Sequence, residues 1–188
     1  MLGEYLENPP QTSFENQEKG EKIILLLRAH IVTLVPAALL ILVLVLTPVV
    51  AFAVLINLGI NLTNFLRLQL LIVVILTWYL FTAGYTFLRF LLWFFNVYLV
   101  TNERLVDFDF HGFLLKSVSE TRLGKIQDVT SRIYGAIPHL FNYGDVFIQT
   151  AGEMREFEFH QVPKPDAVAR KISEEARLEE AEAPGEVR

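Results

Sequence analysis

The chain has 188 residues, 53% of them hydrophobic and 20% charged, with a net charge of −5 and no cysteine. Soluble domains of this size usually carry about 45–50% apolar and about 25% charged residues, and the mean hydropathy here is +0.40. This balance excludes a disordered chain and a wholly soluble one, and the missing cysteines exclude disulfides, thiolate metal sites and a cysteine nucleophile.

Charge is placed unevenly. Residues 1–28 carry three basic and five acidic side chains, residues 29–95 only Arg67 and Arg89, and residues 96–188 eleven basic and sixteen acidic. No region is basic enough for a nucleic-acid footprint. From Ala29 to about Leu58 there is no charge at all. As a helix this stretch is about 45 Å long, more than a hydrocarbon core of about 30 Å requires. Pro36 and Pro48 fall inside it, and a membrane helix tolerates them where neighbouring groups satisfy the freed carbonyls. A secretory signal peptide does not fit, because a polar segment precedes the run, the run is too long and no small-residue cleavage site follows.

Asn57, Gly59, Asn61 and Asn64 mark a tight connection, with Asn61-Leu62-Thr63 as a weak glycosylation match. A second span is expected from Leu68, bounded by Arg67 and Arg89, with apolar character continuing to Phe95. Arg89 suits snorkelling to the head groups, Trp93 an aromatic belt, and His30 a head-group contact. Lys19, Lys22 and Arg28 precede the first span and Arg89, Arg104 and Lys116 follow the start of the second, against Arg67 alone in the connection. The positive-inside rule then puts both termini in the cytoplasm. Neither span holds an acidic residue or lysine at mid-depth, so a proton relay or ion path is not indicated and an anchor is.

From Asn96 the period changes to two. Val97–Thr101 and Arg104–Phe110 read as a hairpin turning at Asn102-Glu103, where asparagine tolerates a left-handed backbone. In the second strand Val106, Phe108 and Phe110 share one face and Leu105, Asp107 and Asp109 the other, the mark of a half-buried strand. Further strands are expected at 114–121, 126–133, 145–151 and 155–162, with turns at His111-Gly112, Gly124-Lys125 and Gly152-Glu153. Pro165 and Asp166 then open a helix whose stripe Val168, Ile172 and Ala176 suits the end of a sheet. The glutamates beyond residue 176 read as a solvated tail. Six or seven short antiparallel strands and one helix make a small β-sandwich or barrel closed at one end.

Four segments carry a family resemblance. Asn96-Val97-Tyr98-Leu99-Val100-Thr101-Asn102-Glu103-Arg104-Leu105, Lys125-Ile126-Gln127-Asp128-Val129, Tyr143-Gly144-Asp145-Val146 with Phe147-Ile148-Gln149-Thr150-Ala151-Gly152, and the lead-in from Gly20-Glu21-Lys22 to Arg28 and His30 together resemble the bacterial pleckstrin-homology-like (YdbS-like) membrane proteins. The resemblance covers about residues 20–172. It implies a membrane α-helical hairpin of two transmembrane helices followed by a mainly-β PH-like domain, with two packed antiparallel sheets and a C-terminal capping helix. It implies no shared catalytic set, and fold alone does not give function. The expected organisation is a polar tail at 1–22, a two-helix transmembrane hairpin at 23–95 with spans at about 29–58 and 68–95, a PH-like domain at 96–176 and an acidic flexible tail at 177–188.

The first hairpin offers Arg104 beside Glu103, Asp107 and Asp109, too few cations for a phosphoinositide pocket. The segment 134–141 is apolar for a connection. Ile137, Leu140 and Phe141 either plug an open end of the sandwich, the simpler reading, or touch membrane or a partner. His111, His139 and His160 are too scattered for a metal site, and Glu156 and Glu158 fit a solvated strand face. No catalytic or cofactor motif is present. The expectation is a non-enzymatic binding or scaffolding module without a cofactor, on the cytoplasmic face of a bacterial membrane. Its expected partners are the bilayer and other membrane or cytoplasmic proteins or a second copy, with Arg89, Trp93, Arg104, Ile137, Leu140 and Phe141 as possible lipid or partner contacts. The alternative is an accessory subunit of a larger transport, export or envelope-enzyme complex, for which Ala83-Gly84 permits close helix approach.

Overall fold

The computed structural model describes residues 3–10, 14, 17–60, 67–111, 115–151 and 157–181, without the side chains of 111, 115 and 116. The turns expected at Gly112 and Gly152-Glu153, the glycosylation match at Asn61 and the end of the acidic tail lie outside them. The chain divides into a helical unit, Leu34–Leu91, and a β-rich unit built from Met1–Thr33 and Leu92–Arg188.

The helical unit holds α1, Val35–Asn57, and most of α2, Leu68–Phe95. With the 3-10 turn Ile31–Leu34 before it, α1 completes 27 residues holding an 18-residue stretch of mean hydropathy 3.2, and the 28 residues of α2 hold one of 1.9. Almost none of this apolar surface is buried within the structure. Pro48 stands inside α1 and has no N–H to give the carbonyl of Leu44, four residues earlier. The Trp78 indole N–H of α2 donates to that carbonyl at 2.8 Å, and the Tyr79 hydroxyl donates to Val45 O at 3.2 Å. Thr47, Thr82 and Thr86 turn their hydroxyls back onto carbonyls of their own helices. The proline is thus compensated from the neighbouring helix.

Among the described residues, the β-rich unit contains two antiparallel sheets. One has the order β1-β2-β3-β4-β5, from Tyr5–Glu7, Ile23–Leu27, Val97–Thr101, Arg104–His111 and Leu115–Arg122. The other is β6-β7-β8, from Ile126–Arg132, Tyr143–Thr150 and Phe157–Pro163. Between β6 and β7 lies the short helix α3, Ala136–Phe141, and α4, Pro165–Glu180, ends the described chain. Leu25, Leu27, Val100, Leu105, Val146, Ile148, Phe159 and Val162 pack with Val168 and Ile172 of α4 into one core. The predicted stripe of α4 is its buried face.

Several expectations change. Residues 1–22 are not simply a polar tail and the hairpin does not begin at residue 23, because β1 pairs with β2, and β2 pairs with β3. The run Ile23-Ile24-Leu25-Leu26-Leu27 is continuously apolar because both its faces are covered, as in a fully buried strand. Leu25 and Leu27 face the main core, whereas Ile23 and Leu26 join Leu99 and Val106 in a second cluster on the outer face, covered by Leu6 and Phe14. For the same reason β4 is not half-buried at its start: Leu105 and Val106 are both buried on opposite faces. The 102–103 turn forms, but Asn102 is not left-handed. Thr101 Oγ1 accepts the amides of Glu103 and Arg104, and Asn102 Oδ1 accepts the Lys22 amide at 2.7 Å. Residues 177–180, expected in the tail, continue α4.

Candidate functional site

The chain leaves the β-rich unit after Thr33 and returns at Leu92, and within that unit the two passages are bonded together. Trp93 Nε1 donates to Ala29 O at 2.8 Å, and Arg28 Nε donates to Phe94 O at 3.0 Å while its guanidinium lies 4.8 Å from the centroid of the Phe94 ring. Carbonyls in the last turn of a helix lack intrahelical donors, and Arg28 supplies one. A second guanidinium nitrogen donates to Gly3 O, so the N-terminal segment is fixed at the same place. Arg28 is buried, and that burial lowers its pKa. Sequence patterning counts Arg28 as a flanking charge; the structure makes it a latch.

His30 sits at the rim of this region. Its amide donates to Gln161 O, and its ring stacks on Tyr143 at 5.1 Å and lies 6.5 Å from Phe141. Glu4 faces it: one carboxylate oxygen is 3.4 Å from His30 Nε2 and the other accepts the Ile31 amide at 2.6 Å. An open groove of about 390 Å³ runs past these groups, lined by Glu4, Tyr5, His30, Phe141, Asn142 and Lys164 among others. The Lys164 ammonium lies 5.2 Å from the Tyr5 ring centroid. Burial, and then the hydrogen bond to Glu7, pushes the Tyr5 hydroxyl up to about 12. The groove is therefore lined by one ammonium, one carboxylate, one imidazole and an apolar rim.

The segment 134–141 does not plug the sandwich. It contains α3, which buries none of its residues, and Ile137, Leu140 and Phe141 are 60%, 78% and 48% exposed. The fold holds α3 at its C-terminal end. Gly135 at its start has φ +96° and Asn142 at its end φ +53°, the Asn142 amide donates to Pro138 O, and Asn142 O accepts the Lys164 amide at 2.8 Å. Just beyond, Gly144 admits no side chain, because a Cβ there would collide with the Arg132 carbonyl.

Arg104 lies at the other end of β3. It donates to both oxygens of Glu21 at 3.1 Å and to Glu120 at 2.8 Å. Its guanidinium is also 5.7 Å from the Phe14 ring centroid. The hydrogen bond to Glu21 raises its pKa. Burial pushes the Glu21 carboxyl up, but bonds from Arg104, the Glu18 amide and Thr101 outweigh it and hold the carboxyl below its usual range. Two carboxylates thus engage Arg104, which serves to pin the residue-21 segment to the first hairpin. Burial, then the charges of Glu179, Glu18 and Glu21, raise the neighbouring Glu103 carboxyl.

The structure thus brings Trp93, through Ala29 and His30, to the side where Phe141 lies, and keeps Arg104 apart from them. Arg89 belongs to the helical unit, exposed on α2. Sequence patterning missed Glu4, Tyr5 and Lys164, and met Glu21 only within the lead-in Gly20-Glu21-Lys22. Their roles depend on partners distant in the chain.

A family model described as a bacterial PH domain matches residues 23–176. No curated protein and no solved structure matches the chain. The family match begins on β2, runs through both helices inserted between β2 and β3, and continues through both sheets into α4. The chain therefore belongs to the bacterial PH domain family.

Proposed function

We propose that the chain is a membrane-anchored, non-enzymatic binding and scaffolding module on the cytoplasmic face of a bacterial membrane. One observation carries the anchoring: α1 with its preceding turn and α2 turn their leucines, valines and phenylalanines outward along 27 and 28 residues. Apolar side chains in such number require an apolar surrounding phase, and each helix is long enough to cross one. Family membership supports the binding role. The excess of Lys and Arg outside the 58–67 connection supports a cytoplasmic β-rich unit.

The chain has no cysteine, so single-cysteine variants test this directly. With an impermeant thiol reagent on intact cells, Asn61→Cys is labelled and Ser13→Cys is labelled only after lysis. The reverse pattern overturns the cytoplasmic placement, and recovery of the chain in the supernatant without detergent overturns the anchor.

A second reading, an accessory subunit of a larger membrane complex, is favoured by one feature. The helical unit has a shallow groove of about 460 Å³ along Ile41, Val45, Tyr79, Ala83, Thr86 and Phe87, and a Cβ added at Gly84 would meet nothing within 4 Å. A further transmembrane helix could approach closely there. Co-purification of another membrane protein in mild detergent, lost in Ala83→Phe, supports this reading.

A further inference from the structure

We infer that α3 is a membrane-seating element, its Ile137, Leu140 and Phe141 side chains entering the boundary between head groups and acyl chains of the leaflet that receives α1 and α2. The inference rests on the membrane-anchored reading above and adds to it a second, independent contact of the β-rich unit with lipid.

Three observations carry it. From Ile133 to Phe141 the chain has no acidic residue, lysine or arginine, and α3 buries none of its side chains. Its apolar residues therefore do nothing for the core. Yet the backbone that displays them is tied where the helix ends, by Asn142 in the left-handed region and by the Asn142–Lys164 bond. A fixed display of exposed apolar groups marks an interaction surface.

The second observation is location. The Phe141 ring lies 6.5 Å from the ring of His30, and His30 immediately precedes Ile31, the first residue of the 27-residue apolar helix and itself 57% exposed. Phe95, where α2 ends, is also exposed and touches Phe110. The apolar patch of α3 thus adjoins the place where the chain departs from the β-rich unit into its apolar helices. Lipid must lie at that departure if those helices span, which selects lipid over a soluble protein as the occupant.

Third, the flanks have interfacial chemistry. Arg132 donates to the Tyr134 hydroxyl on one side, and exposed Lys164 follows on the other. Cations and a tyrosine bordering an apolar tip match the layering of a bilayer surface. The carboxylate lining the adjoining groove, Glu4, is engaged by the Ile31 amide and faces His30, so it does not stand bare against anionic head groups.

The test uses the full chain in nanodiscs of phosphatidylethanolamine and phosphatidylglycerol. An environment-sensitive fluorophore is attached at Leu140→Cys, at Leu76→Cys within the first half of α2, or at Gln127→Cys on the exposed start of β6. All three positions are exposed, so the label displaces no core. The expected result is that the Leu140 probe is blue-shifted, quenched by nitroxide-labelled lipid several-fold more than the Gln127 probe, and shielded from aqueous iodide. If the Leu140 probe is open to iodide and indifferent to the lipid quencher while the Leu76 probe stays in lipid, the seating role is overturned and the anchor stands. If the Leu76 probe is also open to iodide, the anchored reading fails, and the seating role with it.

Discussion

The runs Ile23–Leu27 and Val35–Asn57 are drawn from nearly the same side chains and have opposite fates. The first is a strand covered on both faces, with Leu27 fully buried; the second is a helix with Leu39, Leu42 and Val43 more than half exposed. Length separates them. Five residues as a strand reach only about 17 Å, which suits a sheet, whereas 27 residues as a helix reach about 40 Å, enough to cross a bilayer. Hydrophobicity alone does not say whether such a run becomes a covered strand or an exposed helix; the number of consecutive residues and the pairing of their amides do.

The contrast is broken most severely at Leu27. Leu27→Ala should cost about 2–5 kcal/mol of β-rich-unit stability through the cavity it leaves. Leu42→Ala, on the exposed face of α1, should leave the same near-ultraviolet melting curve within about 0.5 kcal/mol. Equal losses would mean that the two runs share one kind of environment.

The next effect tests whether the first residues are part of the sheet unit. Glu21→Gln removes the buried carboxylate from the Arg104 pairing, and should cost about 2–3 kcal/mol, below the usual range for breaking a buried pair because Arg104 keeps Glu120. The folded-state carboxyl of Glu21 titrates below its ordinary value of 4.5. Its contribution is therefore present in full above about pH 4.5 and is lost as pH falls through the folded-state value. Denaturation midpoints measured between pH 6 and pH 3 should fall less steeply in Glu21→Gln than in the parent, and parallel curves would refute the pairing.

The smallest effect sharpens the helical side of the comparison. Trp78→Phe removes the donor from the Leu44 carbonyl and should weaken the α1–α2 pair by about 1 kcal/mol. In a Pro48→Ala background the backbone at that position regains an amide for Leu44, and the same tryptophan substitution should cost less. A cycle with no coupling between positions 48 and 78 would show that the proline and the indole act separately.

Much of the fold was legible because its signals are local. The two long apolar runs, the alternation of β4 and β8, the Asn102-Glu103 turn and the Val168, Ile172, Ala176 stripe each announce an element within a few residues. β1 and β2 were not legible, since Ile23–Leu27 is too short to show a period and abuts an apolar helix; only its pairing with residues 98–101 declares it a strand. α3 is too brief for a helical period to emerge. At the candidate site the apolar character of Ile137, Leu140 and Phe141 was plain, but their exposure depends on how Gly135 and Asn142 turn the chain. Glu4 and Lys164 carry no signal at all, because what gives them meaning is a neighbour more than twenty residues away.

The interruption of one sheet by two helices also orders events during synthesis. β2 emerges from the ribosome before α1, and its hydrogen-bonding neighbour β3 only after α2 is complete. Between those moments the Ile23–Leu27 run has no covered surface to occupy beyond the brief β1, and its central partner is still untranslated. The β-rich sheet can be completed only once both apolar helices have been synthesised, and until then the Ile23–Leu27 run presents an unpaired strand edge.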